Sequence, residues 1–106
     1  KNSLPLFVED CNELKKKINS KCCEVLKGYK TPAYNNKSIR TKVYTDIYAQ
    51  VKREFGVSRS SSIKHIYIEK ALEIVSNYEP PTYLVNEIYN ENNQIPFSDL
   101  GATAYL

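Results

Sequence analysis

Ile39, Val43, Ile47, Val51 and Phe55 recur at steps of four, and Gly56 follows at once. An apolar residue every 3.6 positions is the signature of a helix with one buried stripe, and a glycine just past the stripe is a common C-terminal stop. Tyr44 and Tyr48 widen this stripe, and Ser38 is a plausible cap for a helix ending near Phe55. An earlier stripe runs through Val8, Cys11, Leu14, Ile18, Cys22 and Val25, spaced 3, 3, 4, 4 and 3. It predicts a first helix from about Leu6 to Lys27, stopped by Gly28. Residues 29–37, with Thr31-Pro32 and Asn35-Asn36, read as a loop.

After Gly56, Val57 to Ser62 is a Ser-rich turn with at most one loose helical turn. A third helix is expected from about Ile63, with Ile68, Ala71, Leu72, Val75 and Tyr78 inward. Glu79-Pro80-Pro81 ends it, because a residue before proline avoids helical angles. Thr82 can cap a shorter fourth helix holding Leu84, Val85, Ile88 and Tyr89, and residues 91–106 show no period. The chain therefore reads as all-α: a small bundle of about four helices with a helix–Gly–turn–helix centre and an irregular C-terminal tail.

With 106 residues, one domain is expected over 1–106, with its core at about 6–90. Apolar residues at 42% and charged residues at 25% are globular values, and no apolar run approaches the length of a membrane span. The first residue is Lys1 rather than Met, which suggests the C-terminal part of a longer protein. Cys11, Cys22 and Cys23 make no even framework, and Cys11 and Cys22 would stand roughly 16 Å apart along one helix, too far to bridge. Reduced cysteines serving as small core residues fit a cytoplasmic setting. With one His and no metal-ligand spacing, neither a metal nor any other cofactor is expected.

Charge is unevenly laid out. Residues 36–70 carry eight cations against three acids, whereas residues 71–106 carry five acids and no Lys or Arg. A basic middle suits a polyanion, and it equally suits pairing with the acidic end or a plainly solvated face. The segment Val51-Lys52-Arg53-Glu54-Phe55-Gly56-Val57-Ser58-Arg59-Ser60 compares with a helix-turn-helix, in which a Gly ends one helix and a Ser caps the recognition helix. Arg59, Ser60, Ser61, Lys64 and His65 would then face a groove. Lys42, Lys52 and Arg53 would meet phosphates, which orient a protein without reading sequence. Lys52 and Ser62 depart from the usual small and apolar residues of that motif, and a bundle connection of the same shape remains open. A Lys42–Asp46 pair on an exposed face is the alternative for Lys42. Tyr44, Tyr48 and Tyr78 have core spacing, while Tyr29, Tyr34 and Tyr67 are unassigned. His65 has no Asp, Ser or Cys partner at motif spacing, and no nucleophile motif or phosphate loop appears, so no catalytic residue and no enzyme activity is expected.

Ordered blocks carry a more specific signal than any of these motifs. Leu26-Lys27-Gly28, Thr31-Pro32-Ala33-Tyr34 and Lys37-Ser38-Ile39-Arg40-Thr41-Lys42-Val43-Tyr44 come first. Asp46-Ile47-Tyr48, Lys52-Arg53-Glu54-Phe55-Gly56-Val57-Ser58, Ala71-Leu72-Glu73-Ile74-Val75 and Asn77-Tyr78-Glu79 follow. From about Val8 to Ile88 the chain resembles the C-terminal domain of phage antirepressor-type proteins, the "ORF-six" C-terminal domain. The resemblance implies a phage- or prophage-encoded regulator in the bacterial cytoplasm. It implies a DNA-binding or partner-binding role and does not imply a catalytic activity. The basic surface around residues 40–65 makes duplex DNA the expected partner, and the apolar, tyrosine-rich helix faces make a phage repressor or self-association the alternative. The chain departs from that pattern after Ser58, where Ser60 replaces an aromatic residue and Lys64 a proline.

Overall fold

The computed structural model describes residues 4–93. It is all-α, a small bundle whose elements are α1 (Val8–Val25), α2 (Pro32–Asn35), α3 (Lys37–Phe55), α4 (Ile68–Ser76) and α5 (Thr82–Asn92). Two single 3-10 turns, Ser60–Ser62 and His65–Tyr67, lie between α3 and α4. Among the described residues no helix is long and apolar enough to cross a membrane. The expected tail at 91–106 begins inside α5, which reaches Asn92, and 94–106 fall outside the described residues.

The stripes read from the sequence are the core. Ile39, Val43, Ile47 and Val51 of α3 are buried, as are Leu14, Ile18 and Cys22 of α1. α1 packs on both α3 and α4, and α5 closes the bundle against α2 and α3. Cys22 is fully buried and Cys11 only partly, and all three cysteines are free thiols. Burial pushes the Cys22 thiol up to about 11, so at neutral pH it stays protonated and behaves as an apolar group. Val8, placed on the stripe by spacing, is 74% exposed, because it occupies the first position of α1 at the stripe's margin.

Several boundaries moved, each for a local reason. The stop of α1 is Lys27, which takes the left-handed conformation at φ 76°. Its N–H bonds the Glu24 carbonyl at 3.1 Å and the Gly28 N–H bonds Cys23 at 2.9 Å, the paired bonds of a Schellman end. The stretch read as a loop holds α2, capped by Thr31, whose Oγ accepts the Tyr34 N–H at 3.2 Å. α3 is capped by Asn36 rather than Ser38, with the Asn36 side chain accepting the Ile39 N–H at 3.2 Å. Thr82 is the first residue of α5 and makes no cap bond; Pro81 precedes it. On α5 only Leu84 and Ile88 turn inward, and Val85 and Tyr89 are exposed.

The largest difference follows Gly56. Gly56 ends α3 at φ 63°, as its position required. The next helix, however, begins at Ile68, five residues later than the expected Ile63. Ile63 is buried in extended backbone, and its carbonyl accepts the Leu6 N–H at 2.8 Å. The Leu4 carbonyl in turn accepts the His65 N–H at 2.7 Å, so residues 4–6 form a strap bridging Pro5 to Lys64. A helix over 63–67 would break both bonds and lift Ile63 out of the core.

Candidate nucleic-acid interface

α3 delivers its last turn, with Lys52 and Arg53, to the same end of the bundle as the Gly56 turn. Gly56 is reached only because left-handed backbone is open to glycine, and a Cβ there would meet nothing within 4 Å. The chain then runs through Arg59 in extended conformation, the Ser60–Ser62 turn, and the Ile63–Lys64 bridge to the strap. Arg53, Arg59, Ser61 and Lys64 are exposed, and Lys52 and Ser60 are half-buried. None of Lys52, Arg53, Arg59 and Lys64 has a carboxylate partner among the described residues. Between residues 52 and 64 the sequence has one acid, Glu54. The result is a continuous basic strip around one turn.

Two of the eight expected contact residues are committed elsewhere. Lys42 pairs with Glu87 of α5 at 3.0 Å, and not with Asp46. Asp46 instead accepts the Tyr78 hydroxyl at 2.6 Å, and burial together with that carboxylate drives the Tyr78 phenol well above its ordinary range. The acidic last third therefore touches the basic middle through two described ion pairs, Lys42–Glu87 across the bundle and the local Lys70–Glu73 at 3.1 Å. Arg40 is also held: its Nη1 donates to the Tyr34 carbonyl at 3.0 Å and its guanidinium lies 5.2 Å from the centre of the Tyr34 ring.

His65 is the second. Its Nδ1–H donates to Asp10 at 2.5 Å, so the lone histidine does have an acidic partner, one that spacing could not reveal. The same carboxylate accepts the Phe7 N–H at 2.9 Å at the start of α1. These two bonds, that from the Phe7 N–H foremost, hold the Asp10 carboxyl below its usual value. The Phe7 ring stacks on the imidazole, centroids 4.0 Å apart and planes 16° apart. A second stack, Phe55 on Tyr67, lies at 5.7 Å and 27°. Sequence reasoning missed Asp10, Phe7 and Phe55 here. The one signal was the pairing of a cap-like acid at the first turn of α1 with an apolar residue before it.

Arg59, Lys64 and His65 thus precede α4 and do not lie on it. The helix-turn-helix expectation put Arg59, Ser60, Ser61, Lys64 and His65 on a recognition helix; they sit on turns and extended backbone instead. Three serines in a row favour that outcome, because their hydroxyls compete for backbone groups and helix propensity is poor. Lys64, where the family pattern has proline, keeps φ −71° and ψ 141°, angles proline itself would take.

Away from this strip, a groove of about 680 Å³ runs between the end of α1 and α5. Its lining includes the apolar Val25, Pro80, Val85, Ile88 and Tyr89 together with the charged Lys21, Lys27, Glu24 and Glu79.

No curated protein and no solved structure matches the chain. A family model does, over residues 1–88, a span that takes in the strap, the Gly56 turn and most of the bundle, and the chain belongs to the phage-type ORF6C domain family.

Proposed function

We propose that this chain is a regulatory domain of a phage or prophage protein, acting in the bacterial cytoplasm without catalysis, and that it binds the phosphate backbone of nucleic acid. The observation that carries this reading is the set Lys52, Arg53, Arg59 and Lys64, without carboxylate partners among the described residues and gathered around the Gly56 turn. Ser60 and Ser61 add hydroxyl donors beside them. Lys42 and His65 contribute less than the sequence implied, since each already has a protein partner.

Fluorescence anisotropy of a labelled DNA at several salt concentrations tests it. Four phosphate contacts on a duplex give a slope of roughly −3 to −4 in log K against log salt, and Arg53→Ala or Arg59→Ala each remove about one unit. Absence of binding at low salt sinks the reading.

A second reading is favoured by the α1–α5 groove and by the exposed Tyr83, Val85 and Tyr89 on α5. Tyrosine-rich, charge-poor helix faces suit protein partners, either a phage repressor or another copy of the chain. Light scattering that returns a stable dimer insensitive to moderate salt, with no DNA binding, selects this reading.

A further inference from the structure

The strip at the Gly56 turn carries more than charge. Phe7 and Tyr67 are 42% and 43% exposed, and each stacks on a protein ring, Phe7 on His65 and Tyr67 on Phe55. His65 and Tyr67 belong to one 3-10 turn, directly after Lys64, and Phe55 is the last residue of α3, one turn beyond Lys52. Residues 52–67 therefore carry the four cations without carboxylate partners together with Phe55, His65 and Tyr67, and Phe7 joins them from the N-terminal strap. Tyr83 and Tyr89, also exposed, lie on α5 in a stretch without Lys or Arg.

We infer that this surface takes single-stranded nucleic acid, with bases stacking on Phe7 and Tyr67 while Arg59, Lys64, Lys52 and Arg53 follow the backbone. The inference rests on the nucleic-acid reading above and names its ligand class. Duplex readers place a helix or a ribbon in a groove. Here Arg59 and Lys64 lie on extended backbone just before two single 3-10 turns, Lys64 in an isolated bridge, and this segment offers no such rod. Single strands have unstacked bases, and a ring with one face already packed on protein presents its remaining surface to a base at little ordering cost. The strap is pre-organised for this. Asp10 takes both the Phe7 N–H and His65 Nδ1–H, and the strap's two backbone bonds, Leu6 to Ile63 and His65 to Leu4, hold Phe7 against the segment whose 3-10 turn carries His65 and Tyr67.

The test is anisotropy with labelled oligothymidylate, oligouridylate and a mixed-sequence duplex of equal length at low salt. Either single strand should bind at least about tenfold tighter than the duplex, and the better of the two identifies DNA or RNA as the source. Phe7→Leu and Tyr67→Leu keep apolar volume but remove the π face, so each should weaken single-strand binding by about tenfold and leave duplex binding nearly unchanged. Tyr67→Phe should restore it. Circular dichroism confirms that each variant folds; should Phe7→Leu fail to fold, the Tyr67 pair decides alone. A duplex bound as tightly as either strand, with the expected salt slope, overturns this inference and leaves the proposed function standing. Single-strand affinity unmoved in Tyr67→Leu overturns it as well. No binding to any of the three removes both.

Discussion

Asp10 and His65, 55 residues apart in the chain, meet at 2.5 Å and join the first turn of α1 to the segment that precedes α4. The carboxylate is the common acceptor for the His65 ring and the Phe7 N–H, so one side chain closes the strap from both ends. Because the Phe7 N–H and the His65 ring hold the folded Asp10 carboxyl below the usual carboxylate range, the folded state favours its ionised form. The associated stability is complete above the unfolded pKa and disappears as pH falls through the folded one. Asp10→Asn should therefore be less stable than the parent at neutral pH, with the gap closing as pH falls below the ordinary carboxylate range. Urea titrations of both proteins at the two pH values measure it; a gap that persists in acid would mean that geometry, and not charge, holds the strap.

Gly56 and Lys27 occupy left-handed backbone at the ends of α3 and α1, at φ 63° and 76°. The same physics predicts opposite signs. Gly56→Ala should cost about 1 kcal/mol from backbone strain alone, and Lys27→Gly should gain up to about 1 kcal/mol. Denaturant midpoints at constant m-value check the pair.

Asn92 near the end of α5 accepts the Ala33 N–H at 2.7 Å and donates to the Leu26 carbonyl at 3.1 Å. It satisfies a free donor at the start of α2 and adds a second donor to the Leu26 carbonyl, which also accepts the Thr31 hydroxyl at 2.8 Å. Asn92→Ala leaves both without that partner in a part-buried place and should cost about 1–3 kcal/mol. Asn93→Ala, whose side chain bonds only within its own helix to Tyr89, is the control and should cost well under about 1 kcal/mol.

Lys64→Pro separates stability from binding. Lys64 has proline-like angles, the preceding Ile63 is extended at ψ 140°, and both bridge bonds use neighbouring groups rather than the Lys64 N–H. The variant should be stabilised by about 0.4–1 kcal/mol through the unfolded chain. It should also lose about one unit of salt slope for nucleic acid.

Glu87→Gln releases Lys42 from its exposed partner. Stability should change by less than about 1 kcal/mol, as for most surface pairs, while affinity for a polyanion rises. Anisotropy at low salt reads the second effect, which should vanish in high salt.

The four longer helices and most of their inward faces were legible in the sequence, because burial of one stripe is a local, periodic requirement, whereas α2 was read as loop and Val8, Val85 and Tyr89 face outward. Ile39 to Val51, Leu14 to Cys22, Ala71 with Val75, and Tyr78 all lie where their spacing put them. Gly56 was legible for the same kind of reason: few residues but glycine end a helix in left-handed backbone without strain. The tertiary structure alone decided what happens between Val57 and Ile68. There the local preference of Ser60 to Lys64 is weak, and the outcome is set by a strap more than fifty residues away in sequence, whose backbone needs partners and whose Asp10 finds His65. Charge assignments followed the same rule. Lys42 lies nearer in sequence to Asp46, but Tyr78 takes Asp46 and Glu87 takes Lys42, because ion pairs and buried hydroxyls answer to distance across the packed helices, which no periodicity within one helix encodes.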